Sequence, residues 1–263
     1  MKGVVSPAVL IVTWNVNSLR ARLPRVLELL KLHTPDVVCL QETKCAASTF
    51  PEAELAQAGY DAVHHSGGQW AGVALLARRP LALSSPRLGL PGEHPSDEAR
   101  WCEATVGGIR FASVYVPNGR SLDSVEYPRK LAFLEAVARL AATPAGQPRV
   151  IGGDMNIAPT DADVYDPAAF VGGTHVSEAE RARLVQILDG GLLDAFRHLH
   201  PDLQQFTWWD YRAGHFHKGL GLRIDLALIS RELAPRLTAC GIDRNFRKGP
   251  KPSDHAPLLT TLA

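Results

Sequence analysis

Short apolar runs of strand length recur along the chain and are separated by segments with helical periodicity. The runs occupy residues 9–12, 37–40, 72–77, 109–116, 150–152, 224–229 and 256–262. Several of them are almost continuously apolar instead of alternating, which is typical of strands that are covered on both faces. The pattern therefore predicts a buried sheet framework in which polar groups stand at the strand ends.

Three segments between the strand-like runs carry apolar residues at helical spacing. The stripes are formed by Leu23, Val26, Leu27 and Leu30, by Leu131, Leu134, Val137 and Ala138, and by Leu184, Val185 and Leu188. We expect Pro24 in the first turn of the first helix. Ser177 and Glu180 have capping-box spacing at the start of the third, which Gly190 is expected to end.

Strands that alternate with helices predict the α/β class. The expected architecture is a four-layer α/β sandwich, in which two packed mixed β-sheets are flanked by helices. Residues 1–263 are expected to form a single catalytic domain, because the proline- and glycine-rich stretches are short and no repeat is visible. Polar residues that follow the strands should then gather at one rim of the sheets.

Composition and charge limit the classes of function. Apolar residues make up 46% of the chain and charged residues 21%, which is ordinary for a globular protein. The net charge is only +1, so any binding of nucleic acid has to rely on local positive potential. The four cysteines form no CxxC pair, which favours buried thiols over a zinc site. Residues 1–7 show no signal-peptide pattern and no run approaches the roughly 18 apolar residues of a membrane span, so we expect a cytoplasmic protein without membrane contact.

The polar residues that end or follow the apolar runs could support phosphodiester hydrolysis. They are Asn15, Glu42, Asp154, Asn156, Asp254 and His255. Each is a weak signal alone, since a strand-end carboxylate is usually solvated and an Asp-His pair can be an exposed loop. Together they form an oxygen-rich set without thiols, which suits Mg²⁺ or Mn²⁺. A carboxylate such as Asp225 beside His255 would orient the imidazole as a general base or as a charge stabiliser.

Seven motifs in this order resemble the exonuclease III and apurinic/apyrimidinic (AP) endonuclease family of the endonuclease–exonuclease–phosphatase superfamily. They are TWNVN at 13–17, LQETK at 40–44, VYVPNG at 114–119, GDMN at 153–156, TWWDYR at 207–212, GLRID at 221–225 and SDH at 253–255. The motifs span almost the whole chain, and the second, third and sixth are specific to the nuclease family.

The resemblance implies a role for each matching residue. Its implied metal site comprises Asn15, Glu42, Asp154, Asn156, Asp254 and His255. Its implied catalytic residues are Tyr115, Asp154, Asn156, Asp225 and His255, where Asp154 orients or deprotonates the attacking water or protonates the departing 3′ oxygen. Its implied substrate contacts are Asn118, Trp208, Leu222 and Ile224, and local positive charge adds Lys44, Arg223, Arg247 and Lys248 as candidate DNA contacts. Trp208, Leu222 and Ile224 would line the pocket for a flipped abasic sugar.

The activity that the resemblance implies is Mg²⁺-dependent cleavage of duplex DNA 5′ to abasic sites, with Mn²⁺ as a substitute. Exonuclease activity from the 3′ end and removal of 3′-phosphates or other 3′ blocks would accompany it, and we expect a monomer. A net charge of +3 in residues 243–251 supports DNA binding. Two other hypotheses stay open at this point. One is a phosphatase or phospholipase acting on inositol phosphates or sphingomyelin, and the other is a DNA-binding module that has lost catalysis.

Overall fold

The computed structural model describes residues 8–93, 98–143 and 146–263. Its strands are β1 Val9–Asn15, β2 Val37–Gln41, β3 Tyr60–His65, β4 Val73–Arg78, β5 Ser84–Leu88, β6 Trp101–Val106, β7 Ile109–Tyr115, β8 Arg149–Asp154, β9 Leu192–Asp194, β10 Asp225–Ser230, β11 Leu237–Ile242 and β12 Leu258–Leu262. Its helices are α1 Leu19–His33, α2 Glu52–Gln57, α3 Glu126–Ala142, α4 Glu178–Asp189, α5 Ala195–Leu199 and α6 His215–Lys218. Every strand and helix that the apolar pattern predicted is present.

The strands form two six-stranded sheets. The first has the order β11-β12-β1-β2-β4-β3 and the second the order β5-β6-β7-β8-β10-β9. The pairs β1–β2 and β7–β8 are parallel, whereas the strands that flank them are antiparallel. Both sheets are therefore mixed, as predicted.

Three apolar clusters separate four layers. The cluster between the sheets joins residues of both, such as Cys39 of β2 and Phe111 of β7. A second cluster packs α1 and α2 on the first sheet, and a third packs α3 and α4 on the second sheet. This arrangement confirms the predicted four-layer α/β sandwich. The four cysteines are buried free thiols, as expected.

The structure confirms the predicted ends of α4 but not the predicted start of α1. Ser177 and Glu180 form the predicted capping box at the start of α4, and Gly190 caps its end. Pro24 lies inside α1 and not in its first turn, so that prediction is wrong. The reason is that Ser18 caps the helix by accepting a hydrogen bond from the Ala21 amide, which starts the helix earlier.

None of the described helices combines the length and the apolar character that crossing a membrane requires. Residues 1–7, on which part of the predicted localisation depended, lie outside the described ranges.

Candidate active site

The strand registers bring the predicted polar residues to one edge of the sandwich. Asn15 is in register with Gln41, so both parallel strands of the first sheet end together and Glu42 follows directly. In the second sheet, Asp154 is in register with Tyr115 of β7 and with the first residue of β10, Asp225. The site is thus built from the ends of adjacent strands in both sheets, which accounts for its position at the rim.

The two glycines before Asp154 allow the strands to approach closely at this edge. A Cβ atom on Gly153 would lie 2.0 Å from the carbonyl oxygen of Val114, so any side chain would push β7 away from β8. A Cβ atom on Gly152 would meet the Cys39 sulfur at 3.1 Å in the layer between the sheets. Both residues are therefore part of what places the Asp154 carboxylate.

Asn15 joins the carboxylates of the two sheets. Its Nδ2 donates to Glu42 Oε1 at 2.8 Å and to Asp154 Oδ2 at 2.9 Å. Its Oδ1 accepts the backbone amide of Asn17 at 3.0 Å, which fixes the orientation of the side-chain amide. Asn15 therefore orients the two acidic groups towards a common point.

This common point has the donor set of a divalent cation site. One ligand atom from each of Glu42, Asp154 and His255 lies within 4.8 Å of the others. Lys44 Nζ lies 2.5 Å from the second oxygen of Glu42 and balances part of the negative charge. Two carboxylates without soft donors fit a hard cation that keeps several of its waters.

Asp254, which was predicted as a metal ligand, is not among the three residues of this close group, and the predicted ligand Asn156 makes a bond to the backbone. Asp254 Oδ1 accepts Nδ2 of Asn17 at 3.0 Å, and its Oδ2 accepts Nε1 of Trp208 at 3.1 Å. Asn156 Nδ2 donates to the carbonyl oxygen of Val116 at 2.9 Å. In this arrangement Asp254 links two loops, and Asn156 supports the turn that follows β8.

His255 is held by a buried carboxylate. Its Nδ1 lies 2.8 Å from Asp225 Oδ2, and its Nε2 lies 3.8 Å from Asp154 Oδ2. Burial opposes the charged form of the ring, but the carboxylates of Asp225 and Asp154 outweigh it and raise the pKa of His255 to about 10. Asp225 therefore orients the ring, and the two carboxylates favour its protonated form.

Asp154 is the acidic group best placed to move a proton. Burial raises the pKa of its carboxyl to about 7, against the opposing effect of the His255 charge. The backbone amide of Asn156 donates to Oδ1 at 2.9 Å, so both oxygens are fixed. A carboxyl that titrates near neutral pH can act as a base or as an acid.

Tyr115 lies beside Asp154 at the end of β7 in the second sheet. Burial, followed by the negative charges of Glu42 and Asp154, raises the pKa of its phenol well above the ordinary range. The Arg100 guanidinium lies 4.8 Å from the centre of its ring. The phenol consequently stays protonated and can donate a hydrogen bond into the site.

The side-chain amides of Asn118 and Asn156 are hydrogen-bonded to each other. Asn118 Nδ2 donates to Asn156 Oδ1 at 3.2 Å, and Asn118 is itself exposed. His175 approaches from a third segment, with Nδ1 2.7 Å from the carbonyl oxygen of Asn156. Neither His175 nor the buried Lys130, which also contacts that oxygen, was identified from the sequence. Both contacts join residues far apart in the chain, and no local pattern marks them.

The predicted pocket walls form one apolar cluster beside Asp254. Leu222 and Ile224 are 0% and 2% exposed, and they pack with Trp208 and Val176, which are only partly buried. The sequence therefore identified residues that do lie together. The exposed surface of this cluster comes from Phe170, Val176 and Trp208, whereas Leu222 and Ile224 lie beneath it.

Two predicted DNA-contacting arginines lie elsewhere. Arg223 is fully buried, with Nε 2.7 Å from Asp163 and Nη2 2.7 Å from Asp194, so it stabilises the loop before β10. Arg247 is 6% exposed and donates to the carbonyl oxygen of Ser253 at 2.5 Å. Their guanidinium groups are occupied inside the protein, which corrects the prediction that they contact DNA. Lys44 is partly exposed and Lys248 is exposed.

Buried carboxylates that converge with an imidazolium at the edge of two packed sheets are typical of a metal-assisted phosphoester hydrolase. The chain matches the family model "Endonuclease/Exonuclease/phosphatase family" over residues 12–255. By sequence it is 33% identical to exodeoxyribonuclease III of Haemophilus influenzae, with 94% of this chain and 97% of that protein covered.

Solved structures give the same result. An AP endonuclease from Archaeoglobus fulgidus is 36% identical with a TM-score of 0.92, and the match covers 97% of this chain and 99% of that one. NExo from Neisseria, described as a 3′ phosphatase bound to a product DNA hairpin, is 38% identical with a TM-score of 0.91 over 97% and 99% of the two chains. NExo described as a 3′–5′ exonuclease from Neisseria meningitidis is 39% identical with a TM-score of 0.92 over 96% and 98%.

The chain therefore belongs to the endonuclease/exonuclease/phosphatase family and, within it, to the exonuclease III and AP endonuclease family. This confirms the resemblance read from the motifs and identifies the protein as a DNA repair nuclease. The two other hypotheses, a lipid or inositol phosphatase and a non-catalytic DNA-binding module, are not retained.

Proposed function

We propose that the protein is a Mg²⁺-dependent nuclease that hydrolyses the phosphodiester 5′ to abasic sites in duplex DNA. The products would be a 3′-hydroxyl and a 5′-deoxyribose phosphate. The observation that carries the proposal is the convergence of Glu42, Asp154 and His255 at one edge of the sheets, with Asn15 bonded to both carboxylates. The similarity to the Archaeoglobus AP endonuclease supports the abasic substrate.

The carboxylates of Glu42 and Asp154 would hold the Mg²⁺ ion, for which Mn²⁺ would substitute, and Asn15 keeps both groups aligned. When bound, the ion neutralises negative charge on the phosphate oxygens. The short contact between Lys44 and Glu42 offsets part of the acidic charge of the site before DNA arrives.

The chain's own residues provide the remaining chemistry. Water attacks the phosphorus, the bond from phosphorus to the 3′ oxygen breaks, and the departing oxygen takes up a proton. Asp154 either accepts the proton of the water, with the leaving oxygen protonated from solvent, or supplies the proton of the leaving oxygen, with the proton of the water passing to solvent. The His255 imidazolium and the Asn156 amide stabilise the charge that develops on the non-bridging oxygens. The Tyr115 phenol donates from the side of Glu42.

Recognition of the abasic sugar is assigned to the apolar cluster around Trp208. A sugar without a base is cheap to flip out of the helix, and it fits an apolar surface that would exclude an intact nucleotide. Trp208 is suited to this role because its indole nitrogen is bonded to Asp254 while part of its ring is exposed.

Cleavage at 3′ ends is the second candidate, and two observations favour it. Leu222 and Ile224 are covered, so neither side chain is available to line a pocket for an incoming sugar. NExo, which is described as a 3′ phosphatase and as a 3′–5′ exonuclease, resembles this chain closely. A terminal 3′-phosphate would undergo the same attack and release the same 3′-hydroxyl, without any need for a deep sugar pocket.

A labelled duplex with one tetrahydrofuran abasic analogue tests the first candidate, and a duplex with a 3′-phosphate at a nick tests the second. Both are incubated with protein in Mg²⁺ and separately in EDTA, with Asp154→Asn as the inactive control. We expect a single Mg²⁺-dependent incision at the analogue that ends in a 3′-hydroxyl. Intact analogue with rapid removal of the 3′-phosphate would establish the second candidate instead. Cleavage of neither duplex would refute both.

The loss of rate in the Asp154→Asn control can also be predicted. If Asp154 transfers a proton, Asp154→Asn should slow cleavage by about 10²- to 10⁴-fold while DNA binding is largely kept. A variant whose rate stays within about tenfold of the wild type would remove Asp154 from that role.

A further inference from the structure

A buried ion pair lies directly behind the two amides that line the phosphate site. Lys130 of α3 and Glu180 of α4 contact each other, and both side chains are 0% exposed. Burying two charges is costly unless all their hydrogen-bonding groups are satisfied, and apolar residues of similar size stabilise a fold equally well. Here the pair bonds to backbone groups of separate loops, which apolar residues in its place would leave unsatisfied.

Lys130 donates hydrogen bonds to the backbone of the two loops that carry Asn118 and Asn156. Its Nζ donates to the carbonyl oxygen of Asn156 at 2.7 Å and to that of Asn118 at 3.2 Å, and it also reaches Thr174 Oγ1 at 3.2 Å. The loops are 38 residues apart in the chain, and they meet at the hydrogen bond between their side chains. One ammonium group thus sets the distance between Asn118 and Asn156.

Glu180 holds this arrangement from the other side. Its Oε1 accepts Thr174 Oγ1 at 2.7 Å and the His175 amide at 3.0 Å, in addition to Lys130. Its Oε2 accepts the amide and the hydroxyl of Ser177 in the capping box. A residue that local reasoning assigns to a helix cap therefore also fixes the segment that contacts Asn156 through His175.

Both loops contain a residue with a left-handed backbone conformation close to Lys130. Gly119, which follows Asn118, has φ +85°, and a Cβ atom there would lie 2.9 Å from Lys130 Cδ. Asn156 itself adopts a left-handed φ of +50°. Glycine adopts a positive φ without steric cost and asparagine does so more readily than most residues, so both residue types suit these turns.

We propose that Lys130 and Glu180 are positioning residues, which set the spacing of the Asn118 and Asn156 amides for the phosphate group that is attacked. The proposal rests on the proposed function in one respect, namely that these amides bind the phosphate. Neither side chain touches substrate, because both are fully buried.

The test replaces the ion pair by a neutral pair of similar shape, Lys130→Met with Glu180→Gln. Gln keeps one of the two oxygens that accept the His175 and Ser177 amides. The bond from the backbone amide of residue 180 to Ser177 Oγ does not depend on the side chain, so α4 should remain capped. The matched control is Arg110→Met with Glu103→Gln. That pair is also buried, joins two groups at 2.7 Å and lies at the opposite end of β7 from Tyr115.

We expect kcat on the preferred DNA substrate to fall by about 10- to 100-fold in the Lys130/Glu180 variant, because a displacement of about 1 Å at a reacting group costs that much. KM should change less than kcat, and the control should keep its kcat. Glu180→Gln alone should give a smaller loss in the same direction, and it serves as the test if the double variant does not fold.

Side-chain amide signals in ¹⁵N NMR spectra provide a readout that does not depend on cleavage. The Asn118 and Asn156 signals should shift or broaden in the Lys130/Glu180 variant and stay in place in the control. A folded variant with kcat within about threefold of the wild type, or an equal loss in the control, would overturn the proposal. If the wild type cleaves no DNA, the proposed function fails, whereas the NMR comparison still decides whether the pair positions the amides.

Discussion

Replacing Asp225 with Asn removes a negative charge from the buried partner of His255 and keeps an oxygen beside Nδ1. The pKa of His255 is raised from 6.5 to about 10, a preference of about 5 kcal/mol for the protonated ring. Asp225 lies 2.8 Å from the ring and Asp154 lies 3.8 Å from it, so Asp225 supplies the larger share. We expect the pKa of His255 in Asp225→Asn to fall to roughly 7 or 8.

The assay is single-turnover cleavage of the preferred duplex at saturating Mg²⁺, from about pH 6 to about pH 10. If the imidazolium stabilises charge in the transition state, Asp225→Asn should lose activity above about pH 7–8, where the wild type stays active. If a neutral imidazole accepts a proton instead, the variant should be faster than the wild type in that range. An unchanged pH profile would refute the conclusion that Asp225 sets the charge of His255.

Thermal unfolding at the same pH values provides the control, and its sign follows from the same pKa. A group whose pKa is raised on folding stabilises the native state below its unfolded pKa and loses that contribution as the pH rises through the folded value. The wild type should therefore lose stability between about pH 6.5 and about pH 10. Asp225→Asn should show a weaker decline over this range.

Three further substitutions test separate parts of the site. Glu42→Ala should lower cleavage steeply and raise the Mg²⁺ concentration needed for half-maximal rate; an unaltered Mg²⁺ titration would remove Glu42 from the metal site. Trp208→Ala should reduce incision at the abasic analogue more than removal of a 3′-phosphate, whereas equal losses would mean that its role is structural. Gly153→Ala should destabilise the fold by about 3 kcal/mol or more in urea unfolding, because its Cβ would lie 2.0 Å from the Val114 carbonyl oxygen. Gly152→Ala, where the nearest atom is 3.1 Å away, should cost less, and equal costs would contradict this explanation.

The central strands could be predicted because burial on both faces leaves a continuous apolar run in the sequence. β2 and β8 are buried along their whole length, and a polar residue stands at or directly after the end of each. β5 was missed for the opposite reason, since all five of its residues are exposed at a sheet edge. An edge strand whose residues are all solvated carries no apolar pattern, so only its pairing with β6 defines it.

The catalytic residues were found for a related reason. A side chain at the end of a predicted strand has its place fixed by that strand, and parallel neighbours bring such ends to the same edge. Tyr115 and Asp154 are an example, since they end the parallel strands β7 and β8 in register. Asp225 reaches the same edge because it begins the antiparallel strand β10 opposite Asp154. The pKa of Asp154 was not predictable, because it depends on burial and on charges from other parts of the chain.

The sequence shows which residues are charged, but not which of them are already paired in the folded protein. Arg223 and Arg247 stand next to motif residues, and a basic residue near a DNA-cleaving site suggests a phosphate contact. Arg223, however, is bound to Asp163, which lies 60 residues away, and it is fully buried. The positive charge available to DNA is therefore smaller than the sequence implies, and it rests on exposed residues such as Lys248.

The same reasoning explains why Lys130 was overlooked and why its role is worth testing. A residue that touches substrate ends a strand or a motif and can be recognised locally, whereas a positioning residue acts through contacts across the chain. Glu180 shows both cases at once, because its capping contact spans three residues while its contact with Lys130 spans 50. If the neutral pair at these positions folds and still loses rate, the geometry of the site depends on residues that no local motif records.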